Sequence, residues 1–329
     1  MKKAYGLITL LVSAMTLALS ADTARKDYRK ESLKVLAIGN SFSICVLKEM
    51  PNVAKDLGYK LDFCSMYIPG CTLDRHAANL DKPNDNPYRI TWSYASCGKD
   101  VVPFMSALKK GNKKKHASNI YASNIERMLQ ADKWDVVTIQ QGSHKSWKAE
   151  TYEPYGTKLI DMIKKHAPQA KIYVQQTWSY TPWDKRLNKW GIDNGKMFES
   201  IEKSYAQFAN AHSLDVIRTG KAIDLYRREL PVKYTEKSNN DDVCGVNTFK
   251  KLEKEPEWWP VGIKKETGLW WPKGDVFHLN RRGEYLQALV WTAELFDADV
   301  TKCSYTPDYL KDAPEKVALM KKAANEVAK

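Results

Sequence analysis

Three observations predict an α/β fold, a doubly wound parallel sheet flanked by helices, with two insertions. Apolar runs of strand length alternate with helical patterns along the chain, which implies parallel pairing through right-handed crossovers. The runs Leu33–Ile38 and Trp134–Ile139 have the apolar character of buried strands. The first run breaks sharply at Gly39-Asn40-Ser41 and passes directly into a helix-like segment.

In chain order, Leu33–Ile38 reads as a strand, Ile44–Leu57 as a helix and Lys60–Met66 as a second strand. Residues 74–118 are irregular and polar, with Pro83 and Pro87, and read as an insertion over the edge or top of the sheet. Asn119–Ala131 is helical and Trp134–Ile139 a buried strand. Tyr155–His166 places Leu159, Ile160 and Ile163 on one helix face, and Lys171–Gln175 is the next strand. Met197, Ile201, Tyr205 and Phe208 recur at helical spacing within Lys196–Ala211. A short strand Leu214–Ile217 and a helix Ala222–Glu229 follow, then a second insertion, 231–274, rich in Trp, Pro and Lys. Arg281–Phe296 closes the core as a helix with Asn280 as N-cap, and an amphipathic helix from Ala313 to Ala328 ends the chain.

The first 21 residues read as a signal peptide. Lys2 and Lys3 form the basic region, Leu7–Leu19 the apolar region, and Ala18-Leu19-Ser20 before Ala21 the small-residue cleavage site. That apolar run is short for a membrane span, so the mature protein, 22–329, is expected to be exported, periplasmic or secreted, without a membrane-spanning segment. It reads as a single domain interrupted by the two insertions. A hydrophobic content of 43% is enough for a sizeable core. The formal charge of +13 admits an anionic partner, but export argues against nucleic acid and most of the lysines are dispersed, as on a solvated surface. Six cysteines in an exported chain permit disulfides. Cys71, Cys97 and Cys244 lie in loops and are the better disulfide candidates, whereas Cys45 and Cys64 fall in apolar patterns suited to buried thiols.

Chemistry is suggested by two segments at opposite ends of the chain. Ser41 sits at a strand-to-helix turn, which projects a hydroxyl from the carboxyl end of a sheet. Alone it is a common cap sequence, and Ser43, inside the first helical turn, reads as a helix-start hydrogen-bonding residue. Asp275-Val276-Phe277-His278 supplies a base and an orienting carboxylate three residues apart. A serine hydroxyl needs such a base to accept its proton, and imidazole titrates where it can both take and return one.

Together these segments resemble the first and last blocks of the SGNH/GDSL hydrolase superfamily, in a bacterial branch of unknown function where Gly-Asn-Ser-Phe replaces Gly-Asp-Ser-Leu. The resemblance implies a catalytic triad of Ser41, His278 and Asp275, and an oxyanion hole built from the backbone N–H of Ser41, a second-block glycine and a third-block Asn side chain. Gly70, after the second strand, matches the second block. The third block departs from the pattern. The strand 136–139 runs into Gln140-Gln141-Gly142-Ser143-His144 with no Gly-x-Asn-Asp, leaving Gln141 and His144 as alternative donors.

Eleven tryptophans are present, and Trp258-Trp259 and Trp270-Trp271 lie in the polar insertion just before Asp275. Such rings suit the stacking of sugar faces, so these four are the expected substrate-binding residues. No phosphate loop, dinucleotide turn or His-Glu-x-x-His helix occurs, and no cofactor or metal is expected. The expected activity is that of an exported serine esterase removing acyl groups, acetyl foremost, from carbohydrate. The alternatives are a lipid or thioester acyl hydrolase with the same triad, which calls for apolar loops around the site, and an inactive glycan-binding protein on the same fold.

Overall fold

The structure is a computed structural model, and it describes residues 31–81, 88–92, 124–230, 243–244 and 277–329. Six strands form one sheet in the order β3-β2-β1-β4-β5-β6. β1 (Ser32–Gly39), β2 (Lys60–Tyr67), β4 (Val136–Ile139), β5 (Lys171–Gln175) and β6 (Asp215–Ile217) are parallel, and β3 (Arg89–Trp92) pairs antiparallel with β2 at one edge. Leu33, Val35, Leu36, Ala37 and Ile38 of β1 are all at most 1% exposed, so both faces of the central strand are covered, as a doubly wound sheet requires. Strand order reverses between β1 and β4, the switch point at which open α/β sheets leave a crevice beyond their carboxyl ends.

Ten α-helices occur among the described residues: α1 (Ser41–Ile44), α2 (Met50–Asp56), α3 (Leu73–Leu80), α4 (Ile125–Gln130), α5 (Tyr155–His166), α6 (Lys185–Trp190), α7 (Asn194–His212), α8 (Thr219–Glu229), α9 (Arg281–Phe296) and α10 (Pro314–Val327). The single helix expected over 44–57 is instead α1, a 3-10 turn (Cys45–Lys48) and α2. Pro51 explains the break, because it lacks an N–H and stands in the first turn of α2, where none is needed. The segment 74–118, expected to be irregular, contributes most of α3 and all of β3. Leu73, His76 and Ala77 form the buried stripe of α3, and β3 extends the sheet through the register Met66↔Ile90. α6 lies in a stretch given no element from sequence; Asp184 caps its start and Gly191, at φ +67°, ends it in the left-handed conformation.

α9 is buried on nearly every side, packed by α8, α10 and the segment 45–56. Tyr285, Leu286, Leu289, Val290, Trp291 and Phe296 are fully enclosed there. Each such side chain contributes about 1.5–3 kcal/mol on burial, so the helix behind His278 is among the most firmly held elements. Cys71 is a free, buried thiol and not the disulfide partner expected from its loop position; burial pushes its pKa up to about 12. Cys45 donates its S–H to the Ser41 carbonyl, and Cys244 accepts from Arg227. Cys97 lies outside the described residues, as do the leader and nearly all of 231–274. No helix among the described residues is long and apolar enough to cross a membrane.

Candidate active site

The site begins at the turn closing β1. Gly39 is required there because a Cβ would come within 2.5 Å of Ser43 Oγ and 3.0 Å of Gln140 Oε1. Asn40, 2% exposed, ties the turn down. Its Oδ1 accepts from the Phe42 N–H (2.9 Å), capping α1, and from Gln140 Nε2 (2.6 Å), while its Nδ2 donates to the Cys71 carbonyl (2.8 Å). Asn40 therefore joins the carboxyl ends of β1 and β4 to the loop after β2, across the switch point. Ser43 donates to the Asn40 carbonyl at 2.9 Å, the helix-start role expected of it.

Ser41, between these two fixed residues, points its Oγ to within 2.8 Å of His278 Nε2. The two residues are 237 positions apart in sequence, so the contact is made by the fold and by nothing local. His278 precedes α9. Asn280 caps that helix by accepting from the Gly283 N–H (3.1 Å) and donates its own N–H to the Val243 carbonyl (2.9 Å). Leu279 pairs antiparallel with Cys244, so the histidine loop is held from the second insertion as well.

Aromatic contacts that the sequence reading did not single out surround the pair. The Phe42 ring stacks on Trp178 (4.1 Å, 6° between planes) and meets His278 edge-on at 5.3 Å. Phe277 packs 4.2 Å from the His278 ring, with the Arg186 guanidinium 4.0 Å above its centre. Arg186 is itself ion-paired to Asp184. The Phe42 carbonyl accepts from Gln175 Nε2 (2.9 Å) at the end of β5 and from Gln287 Nε2 (2.8 Å) of α9. Both glutamines are fully buried, so these bonds fix the Ser41 turn to the sheet and to the helix after His278 at once. Their only sequence signal was a polar side chain inside an apolar pattern.

The expected oxyanion residues are distributed unevenly. Gly70 is exposed in the turn after β2, at φ +61°, where glycine is at ease. Gln141 is fully buried, and its amide is already engaged: Nε2 donates to the Thr151 carbonyl (2.9 Å) and hydroxyl (3.2 Å), and Oε1 accepts from the N–H groups of Leu73 and Gly142. His144 is exposed in the turn after β4, with its pKa lowered by partial desolvation and by Lys145. Asp275, Trp258, Trp259, Trp270 and Trp271 lie outside the described residues. No group of three His, Cys, Asp or Glu side chains among the described residues is placed to share a metal ion.

Residues 34–243 match the family model named Domain of unknown function (DUF4886). The fold is similar to that of a DUF4886 family protein from Bacteroides uniformis, at 23% identity over 90% of this chain and 94% of that one, with a TM-score of 0.66. Weaker likenesses include a family 3 carbohydrate esterase from Clostridium thermocellum (13% identity, 81% and 96% covered, TM-score 0.39) and a GDSL-like lipase from Bacteroides thetaiotaomicron (12%, 69% and 91%, TM-score 0.32). No curated protein matches the chain.

Proposed function

The chain belongs to the DUF4886 family, and from that premise we propose that it is an exported serine esterase acting on acylated carbohydrate. The observation that carries the hydrolase reading is the 2.8 Å approach of Ser41 Oγ to His278 Nε2 at the carboxyl edge of the sheet. Ser41 Oγ attacks the ester carbonyl carbon while His278 Nε2 accepts the hydroxyl proton, giving a tetrahedral oxyanion and an imidazolium. Asp275 is assigned the orienting and charge-stabilising role at the other ring nitrogen. Collapse breaks the bond to the sugar oxygen, which takes the proton from His278 and departs as an alcohol. Water then gives its proton to His278 as it attacks the acyl-enzyme carbonyl, and collapse of this second tetrahedral intermediate breaks the bond to Ser41 Oγ, which takes the proton back from His278 as the carboxylic acid departs.

The backbone N–H groups of Ser41 and Gly70 are assigned to the oxyanion. His144 is the better third donor to test, because Gln141 spends its amide on Thr151 and Leu73. Carbohydrate as the acyl carrier rests on the tandem tryptophans 258–259 and 270–271 in a polar segment that runs directly into Asp275. Acetate release from a panel of acetylated polysaccharides, with Ser41→Ala as control, tests the reading. Release from one class of polymer, lost in Ser41→Ala, supports it; cleavage of acyl-lipid or thioester substrates alone would replace the carrier while keeping the triad.

A further inference from the structure

We propose that Trp178, which has no place in the reaction itself, is the positioning residue that sets the distance between Ser41 and His278. The proposal rests on the serine hydrolase reading and concerns a side chain that touches neither reacting atom. Trp178 follows the carboxyl end of β5 and is fully buried. It acts in two directions at once. One face lies flat against Phe42, the residue after the nucleophile, at 4.1 Å and 6° between planes. Its indole N–H donates to the carbonyl of Phe277, the residue before the base, at 2.8 Å. A single rigid ring thus spans from the nucleophile turn to the histidine loop, two segments joined by no short stretch of backbone.

Rigidity is what makes this a positioning device. An indole has two side-chain torsions, and here the stack fixes its plane while the N–H fixes its direction. The backbone leading into the ring is closely packed as well. Gly220 of α8 lies so close that a Cβ there would stand 2.1 Å from the carbonyl oxygen of Thr177, the residue before Trp178. Reacting groups must be held to within about half an ångström of productive geometry, and residues locked by packing and hydrogen bonds supply that tolerance.

Trp134 provides a matched control within the same chain. It too is buried and donates its indole N–H to a backbone carbonyl, that of Met128, at 2.7 Å, six residues away and before the start of β4. Trp178→Phe keeps a stacking ring and deletes the donor; Trp134→Phe makes the same chemical deletion elsewhere. Trp178→Phe is expected to lower kcat by about tenfold or more with KM changed less than about twofold, and to slow phosphonate labelling of Ser41 by the same factor. Trp134→Phe is expected to keep kcat while losing comparable thermal stability. Equal kcat in wild type and Trp178→Phe, or an equal fall in both variants, would overturn the proposal.

A readout independent of turnover separates this from failure of the hydrolase reading. In the otherwise wild-type protein, Ser41→Ala should move the His278 Nε2 resonance, because it removes the 2.8 Å contact. In a Trp178→Phe background the same change should move the resonance markedly less. A shift of undiminished size would show that Trp178 does not set the contact, whatever the enzyme's activity. Should Trp178→Phe not fold, 3-benzothienylalanine at position 178, which keeps the bicyclic shape without the donor, takes its place in both measurements.

Discussion

Replacing Glu284 with Gln should be among the most damaging single-atom changes the fold can suffer. Glu284, in the first turn of α9, is ion-paired to Lys48 of the 3-10 turn that follows α1. The side chains are 1% and 8% exposed. Burial pushes the Lys48 pKa down and the Glu284 pKa up, and each charge pulls the other back toward its ionised form. Glu284→Gln removes the carboxylate and leaves an ammonium in the interior facing Arg281, whose charge opposes it. Breaking one side of such a pair costs about 3–5 kcal/mol, whereas replacing both partners by apolar groups of similar volume is close to neutral or stabilising. Urea unfolding should therefore give losses of about 3–5 kcal/mol for Glu284→Gln and for Lys48→Met, but within about 1 kcal/mol of wild type for Lys48→Met/Glu284→Met. Singles that each cost under about 1 kcal/mol, or a double variant as unstable as the sum of its parts, would refute the reasoning that this pair is desolvated and mutually compensated.

Other parts of the molecule give equally direct expectations. Burial, helped by the charge of Arg75, pushes the His76 pKa down to about 3. Between that value and the unfolded value near 6.5 the unfolded chain binds a proton that the native one does not, so stability falls as pH drops, by about 1.4 kcal/mol per pH unit. Wild type should lose about 2–3 kcal/mol more than His76→Gln on going from pH 6.5 to 4.5 in urea titrations; parallel losses would show that His76 titrates normally. Gly220→Ala drives a Cβ to 2.1 Å from the Thr177 carbonyl oxygen, a backbone atom, and should cost about 1–3 kcal/mol in the same assay, with lower turnover because Thr177 precedes Trp178. Trp271→Ala should lower kcat/KM on an acetylated polymer while sparing p-nitrophenyl acetate; equal losses on both, with a lower Tm, would show the ring to be structural.

The parts legible in the sequence are those whose signal is local. β1, β2 and β5, and helices α5, α7, α8, α9 and α10, fall within a few residues of their expected places because their apolar period and caps lie inside the element itself, as with Asp193 accepting from the Lys196 N–H at 2.7 Å to start α7. β3 was not legible: it has four residues and takes its conformation from the backbone of β2. α3 was legible in principle, since Leu73, His76 and Ala77 repeat at helical spacing, but a polar context disguised it. At the site, Ser41 and His278 stood out in the sequence as residues at element boundaries, and the fold brings their side chains to 2.8 Å from each other. The roles of Asn40, Gln175, Gln287 and Trp178 were not legible because they are hydrogen bonds and stacks between distant segments. Gln141 was a candidate donor by position, and its bonds to Thr151 could not be read from the sequence.

The most direct test of the central claim is covalent labelling of the folded protein with a serine-directed phosphonate, followed by mass spectrometry of its peptides. The account predicts one adduct, on the peptide carrying Ser41, absent in Ser41→Ala. It should also form slower by orders of magnitude in His278→Ala, since removing a triad member costs on the order of 10⁴-fold in turnover. An adduct on another serine, or undiminished labelling of Ser41 without His278, would contradict it.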